Sequence, residues 1–293
     1  MVSVIVPCYN SERTIRACLK AILNQRTAIP YDVIVVDSSS DHTPQIVQSE
    51  FPSIRLIHLD KRVLAGAARN LGIQATRAPF CLMIDSDCIA EPDVIDRMIA
   101  RHREARYAAV GGSLANGTPR SLSGFTGYLI EFREFTTSAP MRLVTSVPTA
   151  NVTYRREVFE RLGYFDEDVW PGEDILFNFK LCNSGERILF DPAISVVHLN
   201  RTGWRQVLSH QMRLGETSAQ ARKRGALPGR MLIRFPPLIS LMPLVRLARA
   251  AVWFVRTDRR MFLKFLVSSP IYFIGACFWS VGFFKTAIRE MTV

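Results

Sequence analysis

Short apolar runs and helical patterns alternate repeatedly in the first 105 residues of this chain, and this order limits the folds that it can adopt. Apolar runs predict strands at 2–7, 31–37, 54–59 and 80–84. Helical spacing predicts helices at 11–25, 43–51, 65–74 and 92–105, the first with Ser11 as its N-cap. This order is typical of βαβ units, so we expect a parallel sheet that binds ligands beyond the carboxyl ends of its strands.

Acidic residues follow two of these predicted strands. Asp37 ends the second strand, and Asp85 and Asp87 follow the fourth in the segment DSDC. Two carboxylates at i and i+2 converge on a small volume, and Mg²⁺ or Mn²⁺ takes such oxygens together with substrate phosphates. The same residues could instead form a solvated turn, and Asp37 could belong to an ordinary helix cap.

Four further residues carry side chains suited to chemistry. Arg69 lies in the small-residue segment GAARNLG, where it could pair with a phosphate while the glycines allow close packing. Glu173 and Asp174 open an apolar helix and could act as a general base or as helix-capping charges. His198 ends a strand-like run and could be a metal ligand, a phosphate contact or a surface residue.

In combination, the segments VSVIVPCYN, VVDSSSDHT, GAARNLG, DSDC, GYFDED and GEDILF resemble the family 2 glycosyltransferases over about residues 1–200. The resemblance implies a GT-A fold, a Rossmann-like α/β domain that binds a nucleotide-sugar donor. It also implies donor contacts from Pro7, Tyr9, Glu12, Asp37, Arg69 and Asp85. It implies a divalent cation, Mn²⁺ or Mg²⁺, on Asp87 and Asp85 with help from His198, and catalysis by Asp174 with Glu173 beside it.

The expected activity is inverting transfer of a sugar from a nucleoside-diphosphate sugar, UDP-sugar above all, to a hydroxyl of a saccharide or lipid-linked acceptor. A base favours a hydroxyl acceptor, because an ionised phosphate has no proton to remove. The alternatives are a polyprenyl-phosphate sugar transferase and a nucleotide-sugar-binding or nucleotidyl-transferring protein. The nearest match to a Gln-x-x-Arg-Trp motif begins at Gln211 and lacks the Arg-Trp pair, which argues against a polymerising synthase.

The C-terminal third differs from the rest in charge and hydropathy. Residues 1–200 contain 21 Lys/Arg and 23 Asp/Glu, whereas 201–293 contain 16 and 3, a net charge of +13. Because these cations are interleaved with apolar runs, an anionic membrane surface is a better partner than nucleic acid. Residues 265–284 contain no charge over 20 residues, about the length of a membrane span.

We therefore expect a catalytic domain at 1–226 and a helical segment at 227–293. The helical segment should contain an interfacial helix over about 231–256 and a transmembrane or re-entrant helix over about 262–284. The expected location is the cytoplasmic face of the cell membrane, and a soluble helical subdomain is the alternative.

Overall fold

The computed structural model describes residues 1–224 and 227–289, which form two compact units interleaved in sequence. Unit 1 consists of Met1–Ala115, Pro140–Val169 and Glu173–Leu199. Unit 2 consists of Asn116–Ala139, Trp170–Gly172 and the described residues from Asn200 onward. The expected domain boundary falls at residue 226, which lies outside the described residues, so the division into 1–226 and 227–293 stays a prediction.

Nine strands among the described residues form one mixed sheet. They are β1 Val2–Cys8, β2 Tyr31–Asp37, β3 Arg55–His58, β4 Phe80–Ile84, β5 Cys88–Ala90, β6 Ala109–Asn116, β7 Arg142–Val144, β8 Asn151–Arg155 and β9 Ile188–His198. The strand order is β3-β2-β1-β4-β8-β6-β9-β5, with β7 paired to β9. The expected parallel pairing holds for β1 to β4, whereas β8 runs antiparallel to β4 and to β6, and β5 and β7 run antiparallel to β9.

Helices accompany these strands and make up most of unit 2. They are α1 Ile15–Leu23, α2 Thr43–Glu50, α3 Ala65–Gln74, α4 Val94–Glu104, α5 Leu122–Phe132, α6 Arg156–Leu162, α7 Glu173–Asn183, α8 Trp204–Lys223, α9 Met231–Arg234, α10 Met242–Thr257 and α11 Arg259–Ile288. Short 3₁₀ helices cover Arg133–Phe135 and Pro236–Leu241.

Burial of the central strands explains why their sequences are continuously apolar. Val4, Ile5 and Val6 of β1 are fully buried, as expected for a parallel strand covered on both faces. Register pairs Cys8 of β1 with Asp37 of β2, and Ile5 with Met83 of β4. The carboxyl ends of β1, β2 and β4 therefore lie at one edge of the sheet.

The predicted N-cap at Ser11 is wrong. Helix α1 begins at Ile15, after a turn in which the backbone N–H groups of Thr14 and Ile15 both donate to the Ser11 carbonyl. The Ser11 hydroxyl instead shares a 2.8 Å hydrogen bond with Ser86. Ser11 thus joins the loop after β1 to the acidic loop after β4.

Unit 2 contains the two apolar helical segments of the C-terminus. Pro236–Thr257 and Arg259–Ile288 are long and apolar enough to cross a membrane, with mean hydropathies of 1.7 and 1.6. The stretch 231–256 forms α9, a 3₁₀ helix and α10 in succession, because Pro236 and Pro237 lack backbone donors. The stretch 262–284 lies inside the longer α11.

Candidate active site

Asp37 is fully buried at the end of β2 and is bonded within the protein. One carboxylate oxygen lies 2.7 Å from Nδ1 of His58, and the other accepts a 2.5 Å hydrogen bond from the Ser39 hydroxyl. His58 is a contact that sequence analysis missed, because only the β2–β3 register places it opposite Asp37. Asp37 therefore orders the loop after β2 as well as being a candidate donor contact.

An exposed aromatic–cation pair lies beyond the end of β1. The Tyr9 ring is 43% exposed, and the guanidinium carbon of Arg62 lies 4.3 Å from its centroid. Arg62 follows β3 in the segment DKR and was not among the predicted site residues. Pro7 lies within β1, and Glu12 is fixed nearby through its backbone N–H, which donates to Asp41.

Arg69 bridges two of the predicted motifs. Its guanidinium contacts an Asp85 oxygen at 2.7 Å and a Glu173 oxygen at 2.5 Å, and the residue is only 3% exposed. Burial by itself would lower the pKa of Arg69, but the charges of Asp85 and Glu173 outweigh it and raise the pKa. Arg69 is therefore a permanent cation that holds the loop after β4 to the start of α7.

Helix α3 is also fixed to the GYFDED segment. The Asn70 amide donates to the Phe165 carbonyl at 3.0 Å and to Glu167 at 2.9 Å, and it accepts from the Phe165 N–H at 3.0 Å. A Cβ at position 66 would lie 2.5 Å from the Asp166 carbonyl oxygen, so only glycine allows this approach. These contacts explain the residue types at two positions of GAARNLG.

Glu173 and Asp174 differ in their surroundings although they are adjacent. Glu173 is buried against Arg69, whereas Asp174 is partly exposed at the start of α7. Partial burial, followed by the charge of Glu173, raises the pKa of Asp174 well above that of an ordinary aspartate, against the opposing effect of Arg69. A carboxylate with a raised pKa is a stronger base near neutral pH, which suits proton abstraction.

A second group of ligands forms where β5 pairs with β9. The register sets Cys88 opposite His198, and His198 Nε2 lies 3.6 Å from an Asp87 oxygen. The ligand atoms of Asp87, Cys88 and His198 all lie within 4.8 Å of one another. Burial, followed by the Asp87 charge, raises the pKa of the Cys88 thiol, and soft sulfur suits Mn²⁺ or Mg²⁺ less well than oxygen or nitrogen does. The remaining candidate metal ligands in this group are an oxygen of Asp87 and a nitrogen of His198. The Asp85 carboxylate is paired with Arg69 instead.

Similarity to known proteins identifies the family of this chain. Residues 3–163 match the family described as Glycosyl transferase family 2, which covers more than half of the chain. The chain belongs to this family, so the predicted class, a family 2 glycosyltransferase, is confirmed.

One curated relative is the succinoglycan biosynthesis protein ExoO of Rhizobium meliloti (strain 1021). The two are 30% identical over 217 residues, which is 69% of this chain and 61% of ExoO. The chain thus spans less than two thirds of the length of that relative.

Two solved structures share the fold. A mannosyltransferase, PcManGT from Pyrobaculum calidifontis, in complex with GDP-Man and Mn²⁺, superposes with a TM-score of 0.65 at 18% identity, covering 99% of this chain and 87% of that one. Residues 1–349 of S. aureus TarS, in complex with UDP-GlcNAc, superpose with a TM-score of 0.55 at 19% identity, covering 99% and 91%. The predicted GT-A fold with apolar C-terminal helices is confirmed.

Proposed function

We propose that this protein transfers a sugar, with inversion, from a nucleoside-diphosphate sugar to a hydroxyl of a saccharide or lipid-linked acceptor. The observation that carries the proposal is the double ion pair of Arg69, through which the Asp85 loop and the base candidate at the start of α7 meet. In this reaction Asp174 takes the proton as the acceptor oxygen attacks the anomeric carbon. The bond from that carbon to the diphosphate breaks on the opposite face, which inverts the configuration.

The donor side of the proposal rests on the edge formed by β1, β2 and β4. The exposed Tyr9 ring, with Arg62 over it, offers a face on which a nucleobase can stack and a cation for a phosphate. Asp37 then acts mainly by shaping the loop around the base, since His58 and Ser39 occupy its oxygens. The choice of UDP over GDP stays a prediction, because the two structural neighbours hold GDP-Man and UDP-GlcNAc.

Asp87 and His198 are the residues that would hold a divalent cation. A hard oxygen and an imidazole nitrogen suit Mn²⁺, and sites of this kind commonly complete their coordination with substrate phosphates. The bound ion would neutralise charge on the departing diphosphate. Asp85 has a different task in this proposal, because Arg69 holds it and it in turn fixes the loop that carries Asp87.

The proposed acceptor and cellular location rest on similarity to ExoO and on the charge and hydropathy of unit 2. The part that ExoO takes in succinoglycan biosynthesis supports a saccharide acceptor. The two apolar segments of unit 2 and the +13 charge of residues 201–293 support work at a membrane surface. All six cysteines, which lie within the described residues, are free, and this suits the reducing cytoplasmic side.

The proposal is tested by a donor screen with the purified full chain in detergent. UDP- and GDP-sugars are supplied with saccharide and lipid-linked acceptors, and released nucleoside diphosphate is measured with Mn²⁺, Mg²⁺ or chelator. We expect nucleoside diphosphate rather than pyrophosphate, and a product whose anomeric configuration by NMR is opposite to that of the donor. A retained configuration, or transfer to polyprenyl phosphate alone, would contradict the proposed chemistry.

A further inference from the structure

A basic groove with apolar walls lies within unit 2. Its volume is about 680 Å³, which is the size of a small-molecule site. It is lined by Arg222, Lys223, Arg230, Met231, Ile233, Arg234, Phe235 and Ala287. The lining thus combines four cations with apolar side chains and, among the described residues, includes no acid.

The three arginines of this groove form no ion pair with a carboxylate of the described residues. Among the described residues, no carboxylate oxygen lies within 4 Å of a guanidinium nitrogen of Arg222, Arg230 or Arg234. Arg222 is half-buried, its Nη1 donates to the Ser218 carbonyl at 3.0 Å, and its Nε has no partner. Burial lowers the pKa of Arg222 because the charged guanidinium is poorly solvated there. A bound anion would stabilise the charged form.

The groove also lies at the ends of the two apolar segments. Arg234 and Phe235 immediately precede Pro236–Thr257, and Ala287 is in the last turn of Arg259–Ile288. Since these segments are consecutive, the start of the first and the end of the second meet at the groove. Whether the segments cross a bilayer or lie in its interface, groove residues that flank them would sit at the level of lipid headgroups.

The chemistry of the lining indicates its occupant. Guanidinium groups pair with phosphate through charge-assisted hydrogen bonds, and several converging cations favour a headgroup with more than one negative charge. The exposed Met231 and Phe235 offer apolar surface that inorganic phosphate would not use. We propose that this groove binds a lipid whose headgroup is a phosphate monoester or a diphosphate. The inference rests on the proposed membrane association of unit 2, but not on the proposed transfer chemistry.

Flotation of the full chain with vesicles tests this inference. Neutral phosphatidylcholine vesicles are doped with phosphatidylglycerol, phosphatidic acid or a polyprenyl diphosphate, and the doping is adjusted to equal surface charge. We expect the wild type to prefer the phosphate monoester or the diphosphate over phosphatidylglycerol by at least about tenfold, the gain of one hydrogen bond to a charged group. A preference for phosphatidic acid indicates a membrane lipid, and one for the polyprenyl diphosphate indicates a lipid-linked substrate.

Two double variants with equal loss of charge separate the groove from general attraction. Arg230 and Arg234 are exposed, so Arg230→Gln with Arg234→Gln should leave the fold intact, and it should abolish the lipid preference. Arg259→Gln with Arg260→Gln, at the exposed start of α11, should weaken binding to all anionic vesicles and keep the preference.

Three outcomes would overturn the inference. They are equal binding of the wild type to all lipids at matched surface charge, equal effects of the two double variants on the lipid preference, and a preference for phosphatidylglycerol over both phosphate lipids. A wild type that binds no vesicle would remove both this inference and the membrane association. Sugar transfer to a soluble acceptor, measured in parallel, would still report on the proposed chemistry.

Discussion

The site depends on residues that are neighbours in sequence but have different partners. Glu173 is committed to Arg69, while Asp174 is partly exposed and has a raised pKa. In the same way Asp85 is held by Arg69, while Asp87 faces His198. Each acidic pair therefore contains one residue that positions and one that is suited to contact substrate or metal.

Replacing Asp174 tests its proposed role as the base. Asp174→Asn keeps the size of the side chain but removes its basicity, and a positioned base contributes about 10²–10⁴-fold. We expect turnover to fall at least about 10²-fold while nucleoside-diphosphate affinity, measured by calorimetry, changes little. Glu173→Gln should reduce turnover less. Turnover near the wild-type rate in Asp174→Asn would make Asp174 a helix-capping charge and favour a phosphate acceptor.

The pH dependence of turnover tests the cause of the raised pKa. Asp174 acts as a base only when ionised, so turnover should fall as the pH drops through its pKa, well above the value of about 3.9 for a free aspartate. The Glu173 charge is one cause of the increase in the Asp174 pKa. Glu173→Gln should therefore shift the acidic limb of the kcat profile to lower pH. An unchanged limb would mean that another group controls it.

Asp87 and His198 are tested by metal binding as well as by activity. Asp87→Ala should abolish transfer while thermal unfolding stays unchanged, and His198→Ala should weaken Mn²⁺ binding at least about tenfold, the effect of losing even an outer-shell partner. Calorimetry with Mn²⁺ alone gives the affinity. Asp93→Ala, which removes a carboxylate from a surface pair with Arg97, is the matched control. Full activity of the wild type in excess chelator would exclude the metal.

At the scale of elements, α8 and α11 make a close contact through glycines. A Cβ at position 215 would lie 2.0 Å from the Trp279 carbonyl oxygen, and one at position 282 would lie 2.0 Å from that of Met212. Backbone cannot yield as a flexible side chain can, so the helices would have to separate. A chain that ends before residue 227 would lack α11 and would leave the contact face of α8 uncovered. The experiments proposed here therefore use the full chain.

Because of this contact, we expect replacing a glycine of α8 by alanine to lower the stability of unit 2 and not to raise it. In an exposed helix, Gly→Ala stabilises by roughly 0.5–1 kcal/mol. Gly215→Ala should instead destabilise unit 2 by about 1–3 kcal/mol, the usual cost of overpacking. Thermal unfolding in detergent measures the change, and Gln220→Ala on the exposed side of the same helix should be nearly neutral. A raised Tm for Gly215→Ala would contradict the packing.

At the scale of the whole molecule, charge is concentrated in residues 201–293, which carry a net charge of +13. Unit 2 also exposes large apolar side chains, among them Leu244, Leu263 and Val267. We expect the full chain to bind anionic vesicles and to bind less as salt rises, because each basic residue near the surface contributes about 1 kcal/mol and salt screens it. Flotation at several salt concentrations measures this. A chain that stays unbound at physiological salt would support the soluble subdomain.

Local sequence patterns are sufficient to predict the first strands and helices and the acids that follow them. The four strands β1 to β4 and helix α3 have a local cause in apolar periodicity, and the acids at their ends need only the chain order. These local patterns, taken in order, were enough to predict the family and the GT-A fold.

Which side chains meet depends on the folded arrangement of the strands and helices. The contacts of Asp37 with His58, Asp87 with His198 and Arg69 with two carboxylates join residues far apart in the chain. They depend on strand register and on the antiparallel pairing of β5 with β9. Strand β5 has only three residues, which is too short for a recognisable sequence pattern. The residue type of Arg69 predicts an anionic partner, which could be a phosphate or a carboxylate. The fold places the carboxylates of Asp85 and Glu173 beside it.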